Sequence, residues 1–418
     1  MTALLILVAM IALLVLRVNL VWTLMAAALM VQFTWGAGEL SYFAQDIWAA
    51  MDRQVLLAIP LFVLVGQIMA RGSIAARLIR VIIALTGHLP GGLAMATILS
   101  CAAFSAISGS SIITMLAVGS VLYPALTANG YSKKFAIGAL CAGGTLGIVI
   151  PPSVPMILYG IMTESSIAAL FKAGIGPGIL LTVAFTIYAV ATNWNKPRLA
   201  YSHSELGQSL KHGVLAILMP VILLGGIYSG LFSPTEAAAV AIGYALLVEV
   251  LIYREMKPRD YVTTVAQSGV LVGTLFPLLA VAMSINKLLA EKQVPGMLVD
   301  MALANVESPL VFMLMVNALL LVVGAVMDTG SAIVITAPVL SHIADAYGYS
   351  KVHLGIIMIL NLEIGILTPP FGMNLIIAMT AYKEKFSDIV LAVIPWIFVM
   401  LACLLIVTLI PSIALFLV

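Results

Sequence analysis

Two pairs of adjacent prolines interrupt apolar segments that are otherwise long enough to be membrane helices. Pro151-Pro152 follows Gly147 and Ile150, and Pro369-Pro370 follows Gly365. Proline lacks a backbone N–H and pushes the preceding residue out of helical geometry, so a pair ends the helix and leaves carbonyl oxygens without partners. Such oxygens suit a dehydrated Na⁺. A packing kink needs only one proline, so the pairs favour an unwound ion site.

Clusters of small and hydroxyl residues lie midway along two other apolar segments, at residues 104–111 and 324–331. Backbone opened at membrane depth cannot face lipid, so each cluster is expected to line a cavity or to bind something. An isolated Ser or Gly would indicate close helix packing, but two related clusters favour functional breaks. Asp328 in the second cluster is costly in an apolar setting. It is also a good helix cap, and both roles are compatible.

Helices that restart after these breaks carry partial positive charge and free N–H groups at their N-termini. These groups suit a carboxylate substrate, so one region is expected to serve both a cation and an organic anion.

The chain repeats itself. Gly130-Tyr131-Ser132-Lys133 recurs as Gly348-Tyr349-Ser350-Lys351, and Pro151-Pro152 recurs as Pro369-Pro370, in both cases 218 residues later. Gly147-Ile148 recurs in the same register without a gap. Duplicated halves, each with a broken helix, are typical of secondary transporters.

Composition places the chain in a bilayer. Of its 418 residues, 63% are hydrophobic and 9% are charged, with a mean hydropathy of +1.19. Apolar runs of about 20 residues predict membrane helices, and no strand-period alternation suggests a barrel. We therefore predict an all-α polytopic membrane protein. Phosphate-binding loops, haem signatures and protease motifs are not found, so we expect no enzyme, no cofactor and no nucleic-acid partner. The three cysteines lie in apolar runs and are predicted to be core residues.

Charge distribution predicts how the two halves are oriented. If Arg71, Arg77 and Arg80 are cytoplasmic, most of the 19 Lys and Arg are cytoplasmic, provided that residues 92–128 and 309–346 enter and leave on one side. These segments are thus predicted to be re-entrant helical hairpins, and the halves to be inverted repeats. The predicted divisions are N-terminal scaffold helices (1–53), the first repeat (54–194, with a broken helix at about 133–162), a cytoplasmic loop with linking scaffold helices (195–260), the second repeat (261–388, with a broken helix at about 351–381) and a C-terminal helix (389–418).

The amphipathic segment from Ser73 to Leu85 is too charged to cross, and it is predicted to lie along the membrane interface. A solvated linker and an arm between a moving and a fixed domain remain equal alternatives. The run from Thr2 to Leu16 has no basic residue before it and no cleavage site after it, so we expect a retained helix and not a signal peptide.

The sequence resembles the large membrane subunit of tripartite ATP-independent periplasmic (TRAP) transporters. The likeness runs from Ala58 to the last helix and is carried by GSSIITMLAVGSVLYPAL, GYSKKFAIGALCAGGTLGIVIPPSVPMILYG and ILTPPFGMNL. It implies a Na⁺-coupled symporter of the bacterial inner membrane that works by an elevator mechanism. It also implies two partners, a small four-helix membrane subunit and a periplasmic substrate-binding protein. The family's substrates are organic acids, including C4-dicarboxylates and sialic acids.

The resemblance also implies site residues. One sodium site would involve Ser105, Ser108, Gly147, Ile150 and Pro152, and a second would involve Gly324, Gly365 and Thr368. Val323 and Val326 stand where the first half has Ser105 and Ser108, so the second site must rely more on carbonyls. Substrate is expected at the hairpin tips and restarting helices, at Ser110, Ser111, Ser153, Asp328, Thr329 and Asn374. Because Asp328 would repel a carboxylate, it is expected to contact a hydroxyl, an amide or a sodium.

Alternatives to the tripartite symporter remain open. Broken inverted repeats are equally compatible with a self-sufficient Na⁺/carboxylate symporter or anion exchanger of related elevator architecture. An ion channel is a third alternative, but the predicted hairpins would occlude a continuous pore. The first helix already starts the family pattern, so the small subunit is expected to be a separate polypeptide. Both termini are predicted to be periplasmic.

Overall fold

The computed structural model describes residues 12, 13, 16, 20–35, 40–370 and 372–418. These residues are helical and contain no strand, which confirms the all-α prediction. Within them, nine helices are long and apolar enough to cross a membrane, in agreement with a polytopic membrane protein. The predicted first helix, Thr2 to Leu16, lies almost wholly outside the described residues.

The main helices in chain order are α1 Leu20–Trp35, α2 Leu40–Met51, α3 Ala58–Arg71, α4 Ile74–Thr86, α5 Gly92–Ser108, α6 Ser111–Ala128, α7 Lys133–Val149, α8 Val154–Thr163, α9 Ile167–Thr192, α10 His203–Tyr228, α11 Pro234–Leu246, α12 Pro258–Glu291, α13 Val294–Asn305, α14 Pro309–Val326, α15 Thr329–Ala346, α16 Lys351–Gly365, α17 Met373–Tyr382, α18 Phe386–Leu409 and α19 Ser412–Leu415. A short 3₁₀ turn, Gln54–Leu57, precedes α3, and a π-helical turn, Leu247–Ile252, extends α11.

The first hairpin consists of α5 and α6, which pack against each other and are joined by two residues. Gly109 has a φ of 59°, a left-handed conformation that glycine adopts without strain. Ser110 is extended, and its hydroxyl accepts a hydrogen bond from the Ile113 N–H at 3.5 Å. Glycine ends one helix and serine starts the next, so the chain reverses within one turn.

The second hairpin, formed by α14 and α15, reverses direction through a different pair of linking residues. Met327 is extended, with a φ of −122° and a ψ of 157°, and Asp328 caps α15 by accepting from the Ser331 N–H at 2.9 Å. Val326 stands where the first hairpin has Ser108, and the Asp328 carboxylate stands where the first hairpin has the Ser110 cap. The two tips are therefore related in chain position but differ in chemistry.

The two helices before the proline pairs form the centre of the molecule. Every residue from Ala136 to Val149 in α7 and from His353 to Gly365 in α16 is buried. A helix that is apolar and buried all round lies inside a bundle. After each proline pair a new helix starts, α8 at Val154 and α17 at Met373.

The amphipathic helix α4 is fixed at its start by Glu249, which lies in the π-helical turn. The Ile74 N–H donates to Glu249 Oε1 at 2.8 Å, and the Ser73 hydroxyl donates to Oε2 at 3.3 Å. The Glu249 side chain is fully buried, and its carboxylate caps a helix that is distant in the chain. The start of α4 is therefore anchored by a specific polar contact.

Two arginines add to this anchor. Arg77 forms an ion pair with Glu255 at 2.6 Å and lies 3.8 Å from the centre of the Tyr253 ring. Arg71 donates to the Thr264 hydroxyl at 3.1 Å. The three partners lie within residues 253–264, from the end of the π-helical turn to the second turn of α12, so this segment holds both ends of the α3 to α4 connection.

We expect Glu249→Leu to lower the free energy of unfolding by about 1–3 kcal/mol relative to Glu249→Gln, because leucine leaves the buried Ile74 N–H without an acceptor. Glutamine keeps an acceptor oxygen without the buried charge. Thermal unfolding of both variants in detergent measures the difference. Equal midpoints for the two variants would show that this contact does not anchor α4.

Two predicted boundaries are displaced. The division at 260/261 falls inside α12, because Pro258 occupies the first turn of that helix, where its missing N–H costs nothing. The C-terminal helix begins at Phe386 and not at 389, and it ends at Leu409 ahead of Pro411, with the short α19 following.

Candidate functional site

A cavity of about 900 Å³ lies between the two hairpin tips. Residues 108–113 of the first tip and 328–331 of the second line it, together with Asn374 and mostly apolar residues of α1, α3, α8 and α12. Asp328 is the one charged side chain in this lining within the described part of the chain. The first turns of α6 and α15 both border the cavity, and helix starts present N–H groups that no upstream carbonyl accepts. An anionic group could be bound by these backbone donors.

The first tip packs directly on the first broken helix. A Cβ on Gly147 would lie 2.5 Å from the Ser110 carbonyl oxygen and 2.6 Å from the Thr114 hydroxyl, so only glycine fits. The Ser108 and Thr114 hydroxyls are hydrogen-bonded at 2.6 Å. Oxygen atoms from the tip thus concentrate around Gly147.

The remaining predicted residues of the first sodium site make contacts of their own, which do not involve Gly147. A Cβ on Gly109 would lie 3.1 Å from the Pro152 carbonyl oxygen, and the Val154 N–H donates to the Gly109 carbonyl at 3.4 Å. Ile150 is extended, with a ψ of 126°. The Ser105 hydroxyl donates to the Cys101 carbonyl of its own helix at 2.6 Å, which leaves its lone pairs free to accept.

The second tip meets the second broken helix by a glycine pair. A Cβ on Gly365 would lie 2.3 Å from the carbonyl carbon of Gly324, so the two backbones touch. The Thr368 hydroxyl donates to the Ile364 carbonyl at 2.8 Å. This contact is made almost entirely of main chain, in keeping with valine at positions 323 and 326.

Five of the six predicted substrate residues line the cavity: Ser110, Ser111, Asp328, Thr329 and Asn374. Ser153 is not among the lining residues. It is 1% exposed, and its hydroxyl caps α8 by accepting from the Met156 N–H at 3.4 Å. Its side chain is used to start the helix, and the adjacent Val154 lines the cavity instead.

One side-chain contact at the cavity joins the two halves, and another lies within the second half. Asn374 donates from Nδ2 to the Ser111 hydroxyl at 2.6 Å, and the Thr329 hydroxyl donates to Glu363 Oε1 at 3.5 Å. The first tip is thus joined to α17, and the second tip to α16. No group of three or more His, Cys, Asp or Glu that could hold a metal ion occurs in the residues described.

Comparison with known proteins identifies the family. Residues 7–413 match the family described as the tripartite ATP-independent periplasmic transporter, DctM component. The chain belongs to this family. It is therefore a multi-pass permease component of a bacterial transporter and not an enzyme.

Two relatives and one solved structure illustrate the likeness. The C4-dicarboxylate TRAP transporter large permease protein DctM of Pseudomonas aeruginosa is 40% identical, over 89% of this chain and 88% of the relative. The sialic acid TRAP transporter large permease protein SiaM of Vibrio cholerae is 33% identical, over 90% of this chain and 89% of the relative. The crystal structure of the Alcanivorax borkumensis YdaH transporter has a similar fold, with a TM-score of 0.66 at 13% identity, covering 88% of this chain and 87% of that one.

Sequence reasoning missed one hydroxyl in this site. Thr114 is fully buried and contacts both Ser108 and the Gly147 region. It lies four residues after Ser110, so both face the same side of α6. A hydroxyl one turn beyond a helix-starting serine is the signal that could have found it.

Proposed function

We propose that this chain is a Na⁺-coupled symporter that imports an organic acid delivered by a periplasmic binding protein. The observation that carries the proposal is the convergence of both hairpin tips on one cavity, with each tip packed through glycine on a broken helix. Oxygen-rich breaks suit a dehydrated cation, and the starts of α6 and α15 suit a carboxylate.

The proposed sodium ligands follow the two glycine contacts. The first site takes its oxygens from the tip and the break around Gly147, with Ser105, Ser108, Ile150 and Pro152. The crowding of the Ser110 carbonyl and Thr114 hydroxyl at Gly147 supports this position, and Thr114 joins the set. The second site uses Gly324, Gly365 and Thr368. Its support is the direct backbone contact of the two glycines.

The proposed substrate is a carboxylate bound at Ser110, Ser111, Asp328, Thr329 and Asn374. A C4-dicarboxylate is the first candidate, because the relative that is 40% identical is named for that class. A sialic acid is the second candidate, after the relative that is 33% identical. Asp328 would contact a hydroxyl or amide of the substrate or a sodium, and the helix starts would contact the carboxylate.

The proposed movement is an elevator. The hairpins α5–α6 and α14–α15 and the broken helices α7–α8 and α16–α17 would move together against a scaffold that includes α10, α11 and α12. Helix α4 would be one arm between the two bodies, and its anchor at Glu249 supports this role. We place the chain in the inner membrane with both termini periplasmic, and we propose a small four-helix membrane subunit as its second partner.

The test is uptake into proteoliposomes that contain this chain and its small subunit. Labelled succinate and labelled sialic acid are supplied with the binding protein and a Na⁺ gradient, each present or absent. We expect uptake of one of the two acids, and only when the binding protein and the Na⁺ gradient are both present. Na⁺-driven uptake without a binding protein would instead establish a self-sufficient symporter, and steady conductance in planar bilayers would establish a channel.

A further inference from the structure

Glu363 is a fully buried carboxylate at the centre of the molecule. It lies in α16, two residues before the glycine that ends this helix, and its exposed fraction is 0%. The three ion pairs found in the described residues do not include it. An unpaired carboxylate in such a place is costly, so its charge needs another partner.

Side chains from both hairpin tips surround this carboxylate. Oε1 accepts from the Thr329 hydroxyl at 3.5 Å, and the Ser111 side chain lies close to the same carboxylate. Ser111 in turn accepts from Asn374 Nδ2 at 2.6 Å. One cluster therefore contains a residue from each tip and one from each side of the second break.

Two oxygens of this cluster are buried and unused. Glu363 Oε2 and Asn374 Oδ1 have no hydrogen-bond partner within the described residues, and both residues are 0% exposed. Buried polar atoms are nearly always paired, because an unpaired one loses its interaction with water and gains nothing in return. A carboxylate oxygen and an amide oxygen accept only, so what they lack is a donor or a cation.

We propose that Glu363, Asn374, Thr329 and Ser111 form a binding site for a monovalent cation of the size of Na⁺, below the floor of the cavity. All four contribute side-chain oxygens, which are hard ligands. With Glu363 ionised, the cluster holds one negative charge, which one monovalent cation neutralises, whereas a divalent ion would leave a buried net charge. The site is additional to the two main-chain sites proposed above, and the choice of Na⁺ rests on that proposed function.

The position of the site gives it a consequence for the substrate cavity. Ser111, Thr329 and Asn374 also line the cavity, whereas the fully buried Glu363 is not among the lining residues. A cation bound to all four would hold the two tips at one spacing. It would also neutralise the charge of Glu363 near the cavity. Occupancy of this site would therefore favour binding of an organic anion above it.

The experiment measures Na⁺ directly and does not depend on transport. The full chain is purified with its small subunit, and equilibrium binding of ²²Na⁺ is compared for wild type, Glu363→Gln and the control Glu307→Gln, whose carboxylate is exposed. We expect Glu363→Gln to bind one Na⁺ fewer per chain, with the control unchanged. A second variant, Glu363→Asp, keeps the charge but shortens the side chain, so we expect the wild-type number of ions with an affinity at least about tenfold weaker.

An unchanged number of bound ions and an unchanged affinity in Glu363→Gln would overturn the proposal and leave the carboxyl with hydrogen bonds or a proton. If Glu363→Gln does not give monodisperse protein, Asn374→Ala decides: weaker Na⁺ binding supports the site, and wild-type binding overturns it. Failure of the uptake assay is a separate result. It would remove Na⁺-coupled import while leaving a measured ion at Glu363 in place.

Discussion

Gly365→Ala is expected to reduce Na⁺-dependent uptake by roughly 5- to 150-fold. The new Cβ would lie 2.3 Å from the carbonyl carbon and 2.5 Å from the Cα of Gly324. These are backbone atoms at the end of a packed hairpin arm, so α14 and α16 must separate. Overpacking of this kind costs about 1–3 kcal/mol, and each ~1.4 kcal/mol is a factor of ten. Uptake into proteoliposomes as a function of Na⁺ concentration measures the loss.

The matched control is Gly243→Ala in α11, where no atom lies within 4 Å of the added Cβ. Alanine there removes backbone freedom from a helix interior, so wild-type uptake and unchanged or slightly higher stability are expected. Wild-type Na⁺ dependence in Gly365→Ala would show that the glycine contact is not needed by the second sodium site. Equal losses of uptake in the two variants would show that the effect comes from purification or reconstitution and not from the glycine contact.

Asp328→Asn is expected to slow transport severely while the protein still folds. Asparagine is as good a helix cap as aspartate, and it keeps an acceptor for the Ser331 N–H, which now donates to Asp328 at 2.9 Å. What changes is the charge, and Asp328 is the one charged side chain that lines the cavity in the described residues. Loss of a hydrogen bond to a charged group costs about 1.5–3 kcal/mol, or roughly 10- to 150-fold in uptake.

Asp345→Asn is the control, since this exposed carboxylate lies near the other end of the same helix. Thermal unfolding midpoints of both variants should match that of wild type. Wild-type uptake by Asp328→Asn would remove this carboxylate from the mechanism. A lowered unfolding midpoint in Asp328→Asn alone would show that its role is structural.

The sequence by itself determined where helices stop. Paired prolines, a Gly-Ser step and an Asp-Thr step act on their own backbone and their nearest neighbours, so their effect does not depend on the rest of the fold. For this reason the hairpin arms end at Ser108 and Val326, within the clusters identified from residue types alone. Membrane insertion is likewise a property of composition, and the family follows from motifs that span most of the chain.

Tertiary structure decided which atoms meet. Contacts between Gly324 and Gly365, and between Asn374 and Ser111, join residues that are far apart in the chain, and no local pattern encodes the distance between them. The same holds for Glu249, which caps a helix 175 residues away, and for Ser153, whose hydroxyl is used by its own helix and not by the cavity. Residue type predicted that these groups need partners, because a buried polar group without one is costly. Which partner each group has is determined by how the helices pack.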